Sequence, residues 1–402
     1  MYMKRLLLSA TIAIASIATS MAQTIYICKG GEYTTCEITD GLELSLTDGI
    51  DSITFRQPVM EKIVNVTFNG DKASVSIPSY IEGVTCSSGT DPNVVLTSTN
   101  LTDEITYHVS GSSNAGSLTI NGDYKLTVVL DEVNLTSATV APLNIQCGKR
   151  IAVVMADGSV NNFTDVAGGT NRACVYTKGH FEFSGAGTLN VTGNANHAIA
   201  SKEYCQIKRS VKAINILKAA NDAIHCAQYF QMNGGELNIT STTTSDAIQA
   251  DYELDDNDAV IQDPENTGGI IIKGGTVNIE LANAQDAKGL KAEGDIDISG
   301  GTFIINAVSN GTRGMQTDAN MTISETDGPT NITVYAKGTK CTLPVDSADP
   351  HNCMGIKVDG NLTVNGGTVT VYNTGKKAKG IKVAGTYTVN GGTVNAAIDN
   401  GL

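Results

Sequence analysis

The sequence lacks several features that would indicate a helical fold or a common enzyme. No amphipathic helical run of useful length separates its short apolar segments, which excludes a fold of alternating strands and helices. It has no Cys-x-x-Cys pair, so a structural zinc site is not expected. Neither a Gly-x-Ser-x-Gly elbow nor a His-Glu-x-x-His motif is present, so no such motif marks a catalytic centre.

Basic residues are also in short supply. The formal net charge is −14 at pH 7, and a field of that sign argues against nucleic acid as a partner. Beyond the first 22 residues, no apolar run is long enough to span a bilayer, so membrane insertion is not expected.

The clearest positive signal is a phrase that recurs at a fixed distance. After residue 270, Gly-Gly-Thr occurs at 274–276, 300–302, 366–368 and 391–393, and uninterrupted copies lie 25 or 26 residues apart. Between these copies runs a second phrase, centred on one apolar residue per period: Ile199, Ile224, Ile248, Leu290, Met315, Ile356 and Ile381. A period of this length is typical of a solenoid.

Each period contains three short segments in which apolar residues take every other place, as in a strand. In one period these are residues 296–298, 302–305 and 314–317, separated by turn residues. Three strands in about 25 residues fit one coil of a parallel β-helix. The sequence therefore predicts an all-β solenoid with positive φ at the glycine corners and stacked inward columns.

The chain divides into three predicted regions. Residues 1–22 combine Lys4 and Arg5 with an apolar run and small residues before Gln23, which predicts a secretory signal peptide. Residues 23–57 are interpreted as a small N-terminal β leader or cap, and residues 62–402 as the β-helix. We therefore expect an exported protein, either periplasmic, at the cell surface or extracellular.

The last period stops just after Val394, in the middle of a coil. An open parallel edge invites pairing with another chain. We expect either a truncated sequence or a partner or missing cap that covers this edge.

Outward positions of the second phrase form charged columns. The basic residues in these columns are Lys288, Lys291, Arg313, Lys357, Lys379 and Lys382. A neighbouring acidic column holds Asp251, Glu293, Asp318 and Asp359. Asp222 and Asp246 lie near His225 in the same phrase. Stacked carboxylates repel one another, so either interleaved lysines or a bound divalent cation must offset the repulsion. The column is thus either a set of surface ion pairs or a Ca²⁺ site.

Other repeated residues are interpreted as structural. Asn190, Asn215, Asn238 and Asn278 recur in one strand position, as expected of an amide ladder. Cys341 and Cys353 are the best candidates for a disulfide, whereas Cys174, Cys205 and Cys226 are interpreted as small buried hydrophobic residues.

The repeated phrases resemble a known family. Asp-Ala-Ile-x-Ala at 246–250 and Lys-Gly-Ile-Lys at 379–382, with variants at 288–291 and 354–357, resemble bacterial secreted carbohydrate-binding domain-containing proteins. That resemblance runs from about residue 128 to the end, and implies a right-handed, pectate-lyase-like β-helix. It also implies non-catalytic binding of acidic or plant-cell-wall polysaccharide with Ca²⁺. Because tryptophan is absent, an aromatic platform for crystalline cellulose is not expected.

Carried over to this sequence, the resemblance implies Asp222, Asp246 and Asp251 as cation ligands and Lys291, Lys357 and Lys382 as the basic column. Together with the column positions, the predicted carbohydrate-binding set is Lys288, Lys291, Arg313, Lys357, Lys379 and Lys382, and the predicted metal-binding set is Asp222, Asp246, Asp251, Glu293, Asp318 and Asp359. Two alternatives stay open: a structural or adhesive surface protein, and a polysaccharide lyase acting on uronates with Arg313 or Lys291 as base.

Overall fold

The computed structural model describes residues 24–30, 32–37, 50–54, 56, 60–137, 139–240, 245–341 and 351–398. The predicted signal peptide lies outside these residues. Every regular element within the described ranges is a β-strand. Among the described residues, no helix is long and apolar enough to cross a membrane. The chain forms two units, one comprising 1–63 with 78–82 and the other 64–77 with 83–402.

The first unit contains a three-stranded antiparallel sheet. Its strands are Glu32–Glu37, Thr24–Lys29 and Ser52–Thr54, in that order, with Tyr26 opposite both Thr35 and Thr54. Ile25 is almost fully buried in this sheet. Within the same unit, the Tyr80 hydroxyl donates to the Glu61 carbonyl at 3.0 Å.

The second unit is a parallel β-helix with three faces, as the sequence period predicts. Face A is a 12-stranded sheet, parallel except at its first pair. Its strands are Val84–Cys86, Asn93–Ser98, Ser117–Asn121, Leu143–Gln146, Ala173–Thr177, His197–Ser201, Ile224–Ala227, Ile248–Asp251, Lys288–Ala292, Arg313–Thr317, Met354–Val358 and Lys379–Val383.

Faces B and C begin at the long strand Leu126–Ser137, which bends near Glu132, a residue with φ of 58°. Face B continues through Ile151–Met155, Phe181–Ser184, Cys205–Ile207, Tyr229–Met232, Gly269–Ile272, Ile296–Ile298, Met321–Ile323, Leu362–Val364 and Tyr387–Val389. Face C continues through Val160–Asp165, Thr188–Gly193, Ala213–Ala219, Glu236–Ile239, Thr276–Glu280, Gly301–Ala307, Thr330–Ala336, Thr368–Asn373 and Thr393–Ile398. The strands Ile63–Asn69, Lys72–Ser76 and Ile105–Ser113 precede them.

The glycine corners adopt the predicted conformation. The second glycine of each of the four Gly-Gly-Thr phrases after residue 270 has positive φ: 99° at Gly275, 113° at Gly301, 84° at Gly367 and 79° at Gly392. Corners stack so closely that a Cβ on Gly392 would lie 2.4 Å from the Gly367 carbonyl oxygen. Only glycine satisfies both requirements, which explains the repeated phrase.

The predicted inward column is confirmed residue by residue. Ile199, Ile224, Ile248, Leu290, Met315, Ile356 and Ile381 are direct partners across successive strands of face A. From Ile199 to Ile356 their exposed fraction does not exceed 1%. One continuous core therefore lies between the three faces.

The asparagine column is likewise a ladder. Asn215 donates to Asn190 at 2.7 Å, Asn238 to Asn215 at 2.8 Å, and Asn278 to Asn238 at 2.8 Å. The ladder extends further than predicted, through Asn162 to Asn134. These amides satisfy one another from coil to coil, so their structural interpretation is confirmed.

Of the two cysteine predictions, one is confirmed and one is wrong. Cys174, Cys205 and Cys226 are buried, as predicted, but the disulfide between Cys341 and Cys353 is wrong because both thiols are free. Cys353 lies immediately before the strand Met354–Val358, where its Sγ is 3.6 Å from the Ala307 carbonyl oxygen. Cys353 is thus packed within a coil.

Candidate functional site

The outward side of face A carries three adjoining clefts of about 310, 550 and 740 Å³. The first and second share Arg172, Tyr176 and Lys202. The second and third share His197 and His225. Together they form one open groove, here called the face A groove.

Strand register sets the direction of this groove. Asn144, Tyr176, Ala200, His225 and Gln249 are successive partners across five strands, and all five line the groove. Neighbouring strands lie about 4.8 Å apart, so these positions alone span about 19 Å. The groove therefore crosses the strands and follows the stacking of the coils.

One end of the groove is basic. Arg172, Lys178 and Lys202 are exposed around the buried Tyr176, and no carboxylate lines this cleft. Within the described parts of the chain, none of the three cations forms an ion pair. This end therefore offers positive charge that no direct ion pair engages, with Asp251 and Glu253 in the adjoining cleft, on a protein whose net charge is strongly negative.

The middle of the groove holds two histidines against one buried carboxylate. Asp222 Oδ2 lies 3.2 Å from His197 Nδ1 and 3.0 Å from His225 Nδ1, and the two rings are 4.5 Å apart. Asp222 Oδ1 accepts the backbone N–H of Asp246 at 2.8 Å. Burial would raise the pKa of the Asp222 carboxyl, but the two histidines outweigh burial and hold that pKa well below its usual range. The same pairing with Asp222 raises the pKa of His225 against the opposing effect of its burial.

Lys288 and Arg313 belong to an ion network rather than to an open binding surface. Lys288 Nζ lies 3.3 Å from Asp286 Oδ2 and 3.8 Å from Asp246 Oδ1. Asp286 Oδ1 lies 3.6 Å from Arg313 Nη2 and 2.6 Å from His351 Nδ1. Only 15% of the Lys288 side chain and 9% of the Arg313 side chain are exposed. Their charges are therefore largely satisfied within the protein.

Two of the predicted basic residues pair with the acidic column. Lys291 donates to Asp318 and Lys357 donates to Asp359. Lys379 and Lys382 are exposed on the last strand of face A. For Asp318 and Asp359 these contacts favour the ion-pair interpretation over cation binding.

The predicted metal ligands fit calcium poorly at their observed positions. Asp246 Oδ1 accepts the Lys288 backbone N–H at 2.7 Å, and burial raises the pKa of the Asp246 carboxyl to about 6. Glu293 accepts the Tyr252 backbone N–H at 2.8 Å, and Asp251 accepts a hydrogen bond from Gln249 at 2.7 Å. Ca²⁺ takes six to eight oxygen ligands, whereas each of these carboxylates already accepts a hydrogen bond, Asp246 and Asp251 on one coil and Glu293 on the next. Calcium binding stays a prediction.

Sequence reasoning missed Arg172, Lys178 and Tyr176 as groove residues. They belong to the coils before residue 195, where the period is irregular and columns are hard to align. Asp286 was missed because it lies between the repeated phrases, with a φ of 58°. The signal that could have found the basic cleft is the phrase Arg172-Ala173-Cys174, which stands one period before His197.

One relative aligns with part of this chain in sequence, and one solved structure aligns with it in space. A relative from Acetivibrio thermocellus, described as a carbohydrate-binding domain-containing protein, is 28% identical over 111 residues. That alignment takes in 25% of this chain and 39% of the relative, so the match spans well under half of the relative's length. A solved structure, described as the polysaccharide lyase-like protein from C. thermocellum, aligns with a TM-score of 0.45 and 18% identity, over 82% of this chain and 99% of that one.

The match that decides the family covers most of the β-helix. A family model described as carbohydrate-binding domain-containing protein matches residues 97–400, which include the whole face A groove. The resemblance found in the repeated phrases is thereby confirmed. The chain belongs to the family of carbohydrate-binding domain-containing proteins.

Proposed function

We propose that the protein binds an acidic polysaccharide along the face A groove without cleaving it. The single observation that carries this proposal is the basic cleft of Arg172, Lys178 and Lys202 at one end of the groove. The family description supports carbohydrate as the ligand class.

The shape of the groove favours an extended chain over a compact ligand. It is open to solvent, crosses at least five strands, and has polar residues rather than apolar walls along much of its length. Asn144 and Gln146 offer amide donors and acceptors on one strand, and Gln249 offers them four strands further along the groove. Polar groups at both ends of the groove suit a polymer with repeated hydroxyl groups.

Charge favours an acidic polymer over a neutral one. The Arg172 guanidinium can grip a carboxylate through two parallel hydrogen bonds, and Lys178 and Lys202 add point charges beside it. Because these cations have no carboxylate partner in the described structure, binding an anion there breaks no existing ion pair. A uronate carboxylate is the group that this cleft suits best.

Three features support the non-catalytic part of the proposal. Arg313, the candidate base of the lyase hypothesis, is tied to Asp286 and donates to Gln316 at 2.6 Å. Lys291 is paired with Asp318. The family description names binding and no reaction. We expect the binding to take place outside the cytoplasm, in line with the signal peptide predicted at 1–22.

A binding comparison between two triple variants tests the proposal. The groove variant carries Arg172→Ala, Lys178→Ala and Lys202→Ala, and the matched control carries Lys357→Ala, Lys379→Ala and Lys382→Ala. Affinity is measured for a uronate-rich polysaccharide, a neutral polysaccharide and a single-stranded oligonucleotide of similar charge. Ultraviolet absorbance of the same mixtures reports unsaturated ends made by a lyase.

We expect the native chain to bind the uronate polymer and to release it as salt screens the charges. The groove variant should bind at least about tenfold more weakly, a loss of about 1.4 kcal/mol, and the control variant should bind like the native chain. Equal loss in both variants would contradict the proposed location. Preference for the oligonucleotide would contradict the ligand class, and a rise in ultraviolet absorbance would contradict the non-catalytic role.

A further inference from the structure

We propose that His197, Asp222 and His225 form a site for one divalent transition-metal ion of the Zn²⁺ class, in the middle of the face A groove. This site differs in chemistry from the calcium site that the sequence predicts, because two of its three ligands are nitrogens.

The three side chains already converge on one point. One ligand atom from each lies within 4.8 Å of the other two. Both histidine Nδ1 atoms approach the same oxygen, Asp222 Oδ2, at 3.2 and 3.0 Å. Around a tetrahedral Zn²⁺ with bonds of about 2.0–2.1 Å, ligand atoms lie about 3.3 Å from one another. The nitrogen–oxygen separations are therefore those of a nearly formed site.

His197 supplies an independent observation. Its Nδ1 is buried and has no hydrogen-bond partner among the described residues, although Asp222 Oδ2 is only 3.2 Å away. The nitrogen therefore points beside the oxygen and not at it. Two ligand atoms that share an ion have this relation, because both are directed at the ion between them. An unpartnered buried nitrogen is otherwise costly.

The surroundings hold the carboxylate in place. Asp222 Oδ1 accepts the Asp246 N–H at 2.8 Å, which fixes the carboxylate plane and keeps Oδ2 facing both histidines. Outer hydrogen bonds of this kind orient the ligands of metal sites. Two imidazoles and one carboxylate suit Zn²⁺ and related ions, whereas Ca²⁺ prefers oxygen ligands throughout.

Three protein ligands leave at least one coordination position open, as in zinc sites that bind a further molecule. All three residues line the largest cleft of the groove, so a carboxylate or hydroxyl oxygen of a bound sugar could complete the coordination. This last step depends on the proposed function, but the presence of the metal site does not.

Metal titration of the chelator-stripped chain tests the site without any polysaccharide. Isothermal titration with Zn²⁺ and with Ca²⁺ is run on the native chain, on His197→Ala, on His225→Ala and on His108→Ala. His108 is a matched control, because its Nε2 also faces an aspartate, Asp131, at 3.4 Å but lies in the strand Ile105–Ser113. The visible absorption of the Co²⁺-loaded native chain reports nitrogen ligands, even if a variant fails to fold.

We expect one Zn²⁺ per native chain, bound at least tenfold more tightly than Ca²⁺, with four-coordinate Co²⁺ absorption. His197→Ala and His225→Ala should each weaken Zn²⁺ binding at least tenfold, and His108→Ala should leave it unchanged. The site would be refuted by tighter binding of Ca²⁺, by no binding of Zn²⁺, or by Zn²⁺ binding that is unchanged in both His197→Ala and His225→Ala. Binding of the uronate polymer is measured separately, so failure of the polysaccharide proposal leaves this result readable.

Discussion

The Asp222 carboxylate accepts a hydrogen bond from the backbone N–H of Asp246 at 2.8 Å, so a side chain of one coil bonds to the backbone of the next. Asp246 repeats the contact with the Lys288 N–H at 2.7 Å. Both carboxylates are buried, with exposed fractions of 4% and 7%. These residues therefore hold successive coils of face A in register beneath the groove.

Removal of the Asp246 carboxylate should destabilise the fold. Asp246→Ala leaves the part-buried Lys288 N–H without its acceptor, which should lower the free energy of unfolding by about 1–3 kcal/mol. Asp246→Asn keeps an oxygen that can accept the same hydrogen bond and should cost less. Urea denaturation of the three proteins measures the difference, and an Asp246→Ala midpoint equal to the native one would contradict the bridging role.

The asparagine ladder predicts a dependence on position. Asn215 both donates to Asn190 and accepts from Asn238, whereas Asn278 contributes a single ladder bond, to Asn238. At about 1 kcal/mol per hydrogen bond, Asn215→Ala should cost roughly twice as much as Asn278→Ala. Thermal denaturation of the two variants compares the costs. Equal costs would show that the amides act independently of their place in the ladder.

Glu182 on face B should make stability depend on pH. Burial alone would raise its pKa, but hydrogen bonds from Lys208 at 2.6 Å and Tyr204 at 2.9 Å, with Arg150 nearby, lower the pKa below its usual value. Because the folded-state pKa lies below the unfolded one, Glu182 stabilises the fold above about pH 4.3. That contribution is lost as the pH falls through the folded-state pKa.

The matched variant for this test is Glu182→Gln, which keeps the shape but cannot ionise. Between pH 6 and pH 3, melting temperature should fall less steeply in Glu182→Gln than in the native chain. Parallel curves would contradict the assignment of this acid-sensitive stability to Glu182.

The fold could be predicted from the sequence because each coil repeats the same residue types at the same positions. Gly275 and Gly392 need positive φ at crowded corners, and Ile224 and Ile248 need inward places one coil apart, so each coil repeats the same phrase. At these positions the local backbone and burial requirements favour the same residues as the stacking of the coils. The same stacking identified the outward columns.

The site could be predicted only in part, since a column gives the register of a side chain but not its partners. Lys288 and Arg313 stand in register as expected, yet they contact Asp286, which lies outside the repeated phrase. His351, which also contacts Asp286, is 65 residues away from it in sequence. Such contacts depend on the conformation of segments outside the repeat. The sequence period does not predict that conformation.

Lysine footprinting tests the central claim most directly. Lys178 and Lys202 in the groove and Lys379 and Lys382 on the last strand of face A are all exposed, so an acylating reagent can reach all four amines. We predict that a uronate-rich polysaccharide protects Lys178 and Lys202 from acylation, measured by mass spectrometry, while a neutral polysaccharide does not. Labelling of Lys379 and Lys382 should stay unchanged. Protection of Lys379 and Lys382 with full labelling of Lys178 and Lys202 would contradict the account.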